Sequence, residues 1–375
     1  MKLNFSLSSV HTGNNSIISL ILLQLFIVFS FTGISEGYGY HDALNMGNSI
    51  DVISIRSAAM VGIKVFGSDG PTALFINPAS LHSINRFKGS ISISSIAWTE
   101  EVIDSTYIVQ RSDIGRGSLS GAIAFRAGSE IVLSGGVAKV SDHQYNGTHY
   151  LPDDPCHPGI DIIETLKASG GLWEALGGMS WSLKDNLIMG LSTGMRFGKV
   201  EYTYIYDCLY TPAPDSISNW SWETSDFCYH AGILFGDEAT GIGASYTSGS
   251  DHYQSRISIA GRARAEHIHN IRMGFEGEVI SVFEDNYFNG KLSLETPIRD
   301  DVNLFTGVGF YEGENMNRVG TAFSVGGNYT LDRILFECAM FHSGRSRKST
   351  SFPQEYSDYV DDSWTQFCFG LTYIL

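Results

Sequence analysis

The sequence predicts an all-β protein: a transmembrane antiparallel β-barrel of roughly fourteen strands, preceded by an N-terminal segment that plugs its lumen. Three observations support this. The chain holds 41 Gly, 18 Tyr and 22 Phe with only 17% charged residues, against about 25% in ordinary soluble proteins. Apolar residues alternate with small or polar ones from Gly89 onward. Short and long connections alternate between the predicted strands.

A secretory leader comes first. Lys2 is followed by polar residues and then by an uncharged apolar run at 17–34, with small residues at Ser35, Gly37 and Gly39. This predicts a signal peptide over residues 1–37. A retained membrane anchor is the alternative, because the run is nearly long enough to cross a bilayer. Beyond Ile34 no uncharged apolar run reaches the roughly 18 residues that a spanning helix needs.

The alternation is clear in the last strand, where Phe367, Phe369 and Leu371 share one parity and Cys368 and Gly370 the other. Period-two alternation is the signature of a strand with one apolar face. Strands are predicted on this basis at 89–98, 103–110, 117–127, 170–183, 186–203, 227–236, 241–250, 255–264, 268–279, 287–295, 302–311, 319–329, 333–343 and 363–374.

The connections predict the orientation of the barrel. Tight turns are expected at 184–185, 237–240, 297–301 and 330–332, and long loops at 128–169, 204–226 and 344–362. Brief periplasmic turns and longer external loops are typical of outer-membrane barrels. The barrel is therefore expected over 89–375, in the bacterial outer membrane, with its C-terminus on the periplasmic side.

The second parity of the strands between 255 and 295 carries charges of both signs. These are candidate lumen charges, because a barrel turns its apolar parity to lipid and its polar parity inward. A soluble sheet with a solvated outer face is the alternative. Aromatic residues near strand ends, where an interfacial girdle is expected, favour the membrane. The candidate charges are Arg256, Arg262, Arg272, Glu276, Glu278, Lys291 and Glu295, and the girdle aromatics are Trp98, Trp173, Trp181, Tyr329 and Tyr373.

Residues 38–88 show no alternation and contain the tripeptide Asn77-Pro78-Ala79. Proline cannot donate to a sheet or continue a helix at this point. A barrel of about fourteen strands has a lumen too wide for side chains alone to fill. Irregular backbone at membrane depth is acceptable inside protein, so this region is expected to lie in the lumen as a plug.

Ala58, Ala59 and Gly62, followed by Asn77-Pro78-Ala79 between the leader and the first strand, resemble the FadL-type family. These are outer-membrane transporters of long-chain fatty acids and other hydrophobic compounds, and PorV-like proteins are their relatives. The resemblance implies a fourteen-stranded barrel, a lumenal hatch centred on the N-P-A turn, and passive diffusion of a hydrophobic ligand. The stretch 96–101 looks more like the PorV side, which implies an alternative: a scaffold or shuttle that binds secretion-system proteins and transports no solute. The chain departs from the family pattern at Leu375, where a terminal Phe is common.

Aromatic residues in the second long loop are candidate contacts for a hydrophobic ligand. Packing within the loop and an interfacial girdle are the alternative explanation. The candidates are Tyr204, Tyr206, Tyr210, Trp220 and Trp222, within a wider set that includes Tyr202 and Leu209.

Other classes of function are disfavoured. A net charge of -16 argues against nucleic acid, because phosphate binding needs clustered Lys and Arg. No His-Glu-x-x-His pair is present, and no enzyme activity, cofactor or metal is expected. His267 and His269 would face the same side of a strand and could hold a metal, but no third ligand is near. Asp153, Asp154 and Asp161 lack the regular ligand spacing of a calcium site. Cys156 and Cys208 fall in predicted loops and either form a disulfide or remain free thiols. The expected partners are outer-membrane lipid, the barrel-assembly machinery, and a hydrophobic ligand or secretion-system proteins.

Overall fold

The structure is a computed structural model. It describes residues 48–50, 53–103, 108–151, 159, 161–184, 186–209, 216–236, 240–265, 270–282, 285–312, 316–348 and 359–375. Within these residues no helix has the length and apolar character needed to cross a membrane.

Strands make up most of the molecule, as the alternating sequence predicts. They are β1 (Asn48–Ser49), β2 (Phe87–Ile103), β3 (Ile108–Arg126), β4 (Ile131–Asp142), β5 (Tyr145–Leu151), β6 (Ile162–Lys184), β7 (Leu187–Cys208), β8 (Ser216–Gly236), β9 (Gly241–Thr247), β10 (Ser255–Ala265), β11 (Ile271–Val282), β12 (Asp285–Arg299), β13 (Val302–Tyr311), β14 (Met316–Leu331), β15 (Ile334–Lys348) and β16 (Tyr359–Ile374). The helices are α1 (Ile55–Ala59) and two short 3-10 helices, Pro71–Phe75 and Pro78–Ser83.

The sheet closes into a ring. Neighbouring strands pair antiparallel from β6 through β16, β16 pairs with β2, β2 with β3, and β3 with β4. The pairing of β4 with β6 completes the ring. Fourteen strands form the closed barrel, while β1 and β5 pair only with β4 and β6 respectively.

The predicted number of strands is correct, but two of the predicted strands are misplaced. Residues 108–110 of the predicted strand 103–110 and residues 117–126 of the predicted strand 117–127 belong to the single strand β3, and β4 lies inside the predicted long loop 128–169. Polar residues and glycines at 111–117 look like a turn, and the pair Gly135-Gly136 interrupts the alternation of β4. Both features are accommodated because backbone pairing with neighbouring strands, not side-chain pattern, holds these strands in the wall.

The two faces of the barrel differ as the alternation predicts. The outer face carries large exposed apolar side chains on every side of the ring, such as Ile93, Phe227, Ile259 and Leu292. The predicted girdle residues Trp173, Trp181, Tyr329 and Tyr373 lie on this face, since they share its parity. Trp98 does not: it is buried in an inner aromatic cluster.

Residues 53–84, here called the inner segment, pack against the inner wall and are almost entirely buried. Helix α1 packs on β13 to β16, where Ala58 and Met60 join Phe305 and Phe341 in one core. The two 3-10 helices pack on β4, β6, β7 and β8. The inner segment therefore spans the interior from one side of the ring to the other.

Candidate functional site

The Asn77-Pro78-Ala79 turn lies flat against two glycines of the wall, Gly190 on β7 and Gly232 on β8. A Cβ at Gly190 would clash with the backbone of Pro78 and Ala79, and a Cβ at Gly232 would clash with the Asn77 carboxamide. Both contacts require the absence of a side chain. The wall is therefore shaped to accept this turn.

Asn77 holds the turn together. Its Nδ2 donates to the carbonyl of Val65 at 2.9 Å, and its Oδ1 accepts from the backbone N–H of Ala79 at 3.2 Å. Asn77 is the N-cap of the second 3-10 helix and Pro78 is its first residue, a position where a missing N–H costs nothing. The tripeptide thus begins a helix and also ties it to the preceding turn at Val65.

The same complementarity recurs along the inner segment. A Cβ at Gly243 would lie 2.8 Å from a methyl of Val65, and one at Gly307 would lie 2.8 Å from Val61. Gly370 would meet Ile55 at 2.5 Å. Inward glycines on both sides of the ring therefore bring the inner segment into direct backbone contact with the wall.

Val61 is held in a backbone conformation that β-branched residues rarely adopt, with φ of 55°. Such a residue stores about 1–3 kcal/mol of strain and persists only where its surroundings fix it. Here the Val61 N–H donates to Ser324 Oγ at 2.7 Å, and Tyr311 donates to the Val61 carbonyl at 3.1 Å. Two wall side chains therefore hold the sharp turn that follows α1.

A buried charge network joins the next residues of the inner segment to β11 and β12. Glu276 accepts the backbone N–H groups of Lys64 and Val65 at 2.7 and 2.9 Å. Lys291 donates to Glu276 at 3.2 Å and to Glu278 at 2.9 Å. Lys291 also donates to the carbonyl of Gly62 at 2.8 Å, and Lys64 pairs with Glu278 at 2.6 Å.

A second network centres on Arg56 of α1. Its guanidinium contacts Asp69 at 2.5 Å and Glu295 of β12 at 2.7 Å, while Arg272 pairs with Glu295 at 2.9 Å. Burial disfavours the charged form of Asp69, but the positive charges nearby, Arg56 first and then Lys88 and Arg262, outweigh this and lower the Asp69 pKa from 3.8 to about 2. Arg262 lies over the ring of Phe66 at 4.8 Å. The predicted candidate charges therefore lie on the inner wall, where most of them contact the inner segment.

An aromatic cluster lines the inner wall toward the long-loop end. It contains Trp98, Tyr145 and Tyr202, with Tyr204 and Trp222 packed against it. Trp98 stacks with Tyr145 at 6.0 Å between ring centroids. The side chains are anchored by polar contacts: Tyr145 donates to Glu100 at 2.9 Å, Tyr204 donates to Glu164, and Trp222 donates to Tyr202 at 3.3 Å.

The predicted loop aromatics are thus distributed over several environments. Tyr204 and Trp222 belong to this inner cluster, and Tyr206 is half-buried near the end of β7. Trp220 stacks on Tyr202 at 5.0 Å and is 42% exposed. Tyr210 lies outside the described residues. Sequence reasoning missed Tyr145 as a member of the cluster, because it lies in the region that was predicted to be a loop.

A buried triad on β6, β7 and β8 was also missed. Glu174 accepts from Arg196 at 2.6 Å and lies 3.0 Å from His230 Nε2, and the ring of Tyr253 covers Arg196 at 3.9 Å. His252 and Tyr253 both belong to the connection between β9 and β10. The ring of His252 stacks on that of Trp222, with 4.2 Å between the ring centroids. The β9–β10 connection is thereby folded back into the interior. No short sequence motif could have signalled this, since the triad comes from three strands.

The wall is interrupted between β3 and β4. Among the described residues, these strands pair only from Ser120 to Arg126 of β3. Further toward the long-loop end, Ser141 and Asp142 of β4 pair instead with Ser49 and Asn48 of β1. Strand β1 thus pairs with a part of the β4 edge that, among the described residues, β3 does not pair with.

Several other predicted sites lie outside the described residues: Asp153, Asp154, Cys156, His267, His269 and the leader. Cys208 lies at the end of β7. Because Cys156 lies outside the described residues, the pairing of the two cysteines stays a prediction. The pentapeptide 33–37 matches the spacing of a serine-nucleophile elbow, but it too is outside the described part of the chain. Within that part, no group of three His, Cys, Asp or Glu residues is arranged to hold a metal ion.

The geometry defines a class of protein: a closed fourteen-stranded antiparallel barrel with an apolar outer face and an inner segment pinned to its wall. Neither a protein-family profile nor a curated protein sequence matches the chain. Solved structures do match its fold. A Pseudomonas aeruginosa FadL homologue superposes with a TM-score of 0.63 and 11% identity, over 88% of this chain and 99% of that one.

Two further solved structures are similar. The P. putida toluene transporter TodX superposes with a TM-score of 0.61 and 9% identity, over 87% of this chain and 99% of its own. The CymD monoaromatic hydrocarbon channel superposes with a TM-score of 0.54 and 11% identity, over 88% of this chain and 98% of its own. The chain therefore has the fold of the FadL-type transporters, and the fourteen-stranded barrel implied by the sequence resemblance is confirmed.

Proposed function

We propose that this protein is a bacterial outer-membrane channel for hydrophobic small molecules. The observation that carries this proposal is the aromatic cluster of Trp98, Tyr145, Tyr202 and Trp222 inside a barrel whose interior is otherwise spanned by the inner segment. Aromatic side chains with anchored polar ends offer an apolar surface of fixed shape. The similarity in fold to hydrocarbon channels supports the same conclusion.

The apolar outer face favours a membrane location. A closed barrel leaves no open sheet edge to lipid, so it can lie in a bilayer with its large apolar side chains facing hydrocarbon. On this proposal residues 1–37 direct export, the barrel-assembly machinery inserts the barrel, and the short turns face the periplasm. Residues 53–84, within the predicted region 38–88, act as the plug.

The ligand enters from the long-loop end and is first held at the aromatic cluster. On this proposal, passage beyond it is passive diffusion of the ligand down its concentration gradient. The interruption between β3 and β4 offers a route through the wall, since among the described residues the short strand β1, and not β3, pairs with Ser141 and Asp142 there. Movement of β1 away from Ser141 and Asp142 would open this route.

The experiment is an uptake assay with the protein in liposomes whose outer leaflet is lipopolysaccharide, because the polar polysaccharide layer, and not the hydrocarbon core, slows the entry of apolar solutes. Entry of naphthalene and of a long-chain fatty acid is followed by fluorescence, and Trp222→Ala is compared with Trp181→Ala on the outer face. The proposal expects faster entry with the wild type than with empty liposomes, and a loss in Trp222→Ala alone. Unchanged entry in all samples, together with co-purification of secretion-system proteins, would instead favour the scaffold function.

A further inference from the structure

Tyr145 lies beside the interruption of the wall between β3 and β4. It is the first residue of β5, which follows β4 closely and pairs with β6. On the other side of the interruption, β3 pairs with β2 along almost its whole length. Among the described residues, backbone pairing between β3 and β4 covers only Ser120 to Arg126 of β3. Beyond that stretch, toward the long-loop end, the Tyr145 side chain reaches across.

The Tyr145 side chain contacts two residues of β2. Its hydroxyl donates to Glu100 Oε2 at 2.9 Å, and its ring stacks with that of Trp98, with 6.0 Å between the ring centroids. All three residues are buried. A hydrogen bond to a carboxylate is stronger than one between neutral groups. Tyr145 therefore ties the part of the wall that contains β5 and β6 to the part that contains β2 and β3.

Strand β5 is shaped to accept the Tyr145 ring. A Cβ at Gly147, two positions further along the same face of the strand, would clash with the ring and the hydroxyl of Tyr145. The φ of Gly147 is not positive, so its backbone conformation does not call for glycine. The position of the ring does, because any larger residue at 147 would push the ring away from Trp98.

The same contacts define what can take the place of the Tyr145 ring. Trp98 offers an aromatic face, and Glu100 offers a buried oxygen that accepts a hydrogen bond. An aromatic ligand with a hydroxyl or N–H donor can make both contacts, whereas a plain hydrocarbon can make only the first. Because a buried acceptor that loses a donor costs free energy, such a site discriminates between a hydroxylated ligand and its analogue without the hydroxyl.

We propose that Tyr145 is a latch across the interruption, and that an aromatic ligand with a hydrogen-bond donor, such as a phenol, releases it by replacing its ring. The proposal rests on the function proposed above, in which the ligand is held at the aromatic cluster and leaves through the interruption. Tyr145 is a positioning residue in this scheme. Once its ring leaves Trp98 and Glu100, the two sides of the interruption lose this tie and β1 can move.

The first experiment measures the latch without any transport. Hydrogen–deuterium exchange of the peptide covering residues 136–146 is followed in the full-length barrel in detergent, after the electrophoretic shift between unheated and boiled samples has shown correct folding. Tyr145→Phe keeps the ring and loses the bond to Glu100, so exchange should be roughly tenfold faster than in the wild type. Gly147→Ala should also accelerate exchange, because its methyl displaces the ring.

Two controls are matched to these variants. Tyr204→Phe removes the same kind of bond, from a phenol to Glu164, but this bond joins β7 to β6, which already pair with each other. Thr148→Ala changes an exposed residue of β5 next to Gly147. Neither control should alter exchange of this peptide. Wild-type rates in both Tyr145→Phe and Gly147→Ala, or equal acceleration in the controls, would overturn the latch.

The second experiment tests the class of ligand. 2-Naphthol and naphthalene are added separately, and exchange of the same peptide is followed against their free concentration. In the wild type, 2-naphthol should reach half-maximal acceleration at a roughly tenfold lower concentration than naphthalene. Glu100→Leu should lose this preference and Glu100→Gln should keep it, because glutamine retains an acceptor oxygen. A merely structural role of Tyr145 would give no preference between the probes. Equal effects of both probes on the wild type, which need no variant to measure, would overturn the proposal.

Failure of the latch and failure of the proposed function give different results. If exchange responds as expected but uptake does not exceed that of empty liposomes, the latch stands and the channel function is wrong. If uptake is observed but neither probe changes the exchange of residues 136–146 in the wild type, the latch is overturned and the ligand leaves by another route.

Discussion

The contact between Asn77-Pro78-Ala79 and Gly190 allows a sharp test of how the inner segment is held against the wall. In Gly190→Ala the new methyl would clash with the backbone of Pro78 and Ala79. Backbone atoms cannot rotate away as a side chain can, so the turn must move off the wall. The barrel strand itself tolerates alanine, because β7 keeps its backbone pairing with β6 and β8.

The free-energy cost of this substitution can be estimated from the packing and the hydrogen bonds that the displaced turn loses. Overpacking of a well-packed interior costs about 1–3 kcal/mol. Displacement of the turn also strains two hydrogen bonds of Asn77, to Val65 and Ala79, each contributing about 0.5–1.5 kcal/mol. Together these effects disfavour the packed turn by about 2–6 kcal/mol, which at about 1.4 kcal/mol per tenfold is roughly 30-fold or more in the fraction displaced.

Hydrogen–deuterium exchange of the peptide covering residues 70–86, with the protein in detergent, measures this fraction. Gly177→Ala is the matched control, since a Cβ at Gly177 on the neighbouring strand would meet no atom within 4 Å. Faster exchange is expected in Gly190→Ala alone. Equal exchange in the wild type and both variants, with all three correctly folded, would refute the claim that the turn is held against the wall at this point.

Three further predictions concern the charges and the aromatic cluster. Lys291→Met leaves two buried carboxylates without a shared partner and should lower the free energy of unfolding in urea by about 3–5 kcal/mol; Lys199→Met, in an exposed pair, should lower it by less than about 1 kcal/mol, and equal losses would contradict the network. Trp222→Ala should weaken binding of an aromatic probe, measured by fluorescence titration, by about 1 kcal/mol or roughly fivefold; unchanged affinity would place the ligand elsewhere. Because the Asp69 pKa is lowered from 3.8 to about 2, its contribution to stability is present above about pH 4 and is lost as the pH falls toward 2. Cleavage of the inner segment by pepsin should therefore increase over this interval in the wild type and not in Asp69→Asn, and identical pH profiles would exclude Asp69 as the cause.

The sequence was informative wherever a pattern repeats along one strand. Alternation predicted the apolar and polar faces of the wall, and it held even at the C-terminal strand, where Phe369 faces outward and Cys368 is buried. It failed at β4, where adjacent glycines leave no side chains to alternate. It also wrongly assigned Trp98 to the lipid boundary, because an aromatic residue near a strand end gives the same sequence pattern whether its side chain faces lipid or the interior.

The candidate site was predictable only in part. Asn77-Pro78-Ala79 stands out because its residue types are restricted by backbone chemistry. The glycines that receive it belong to other strands: alternation with Met189 and Leu191 places Gly190 on the inner parity of β7, but no local pattern predicts that it meets this turn. In the structure Gly190 faces the Asn77-Pro78-Ala79 turn, whereas Gly177 on the neighbouring strand faces outward.

The sequence by itself determined the closed-barrel class, the division into an apolar and a polar face, and the irregular segment that precedes the strands. Each of these follows from local periodicity and from the backbone restrictions of single residues. Only the tertiary structure decided which side chains meet. Arg56 and Glu295 are 239 residues apart and form a direct ion pair, because closing the ring brings distant strands around one segment, and no local pattern encodes that distance.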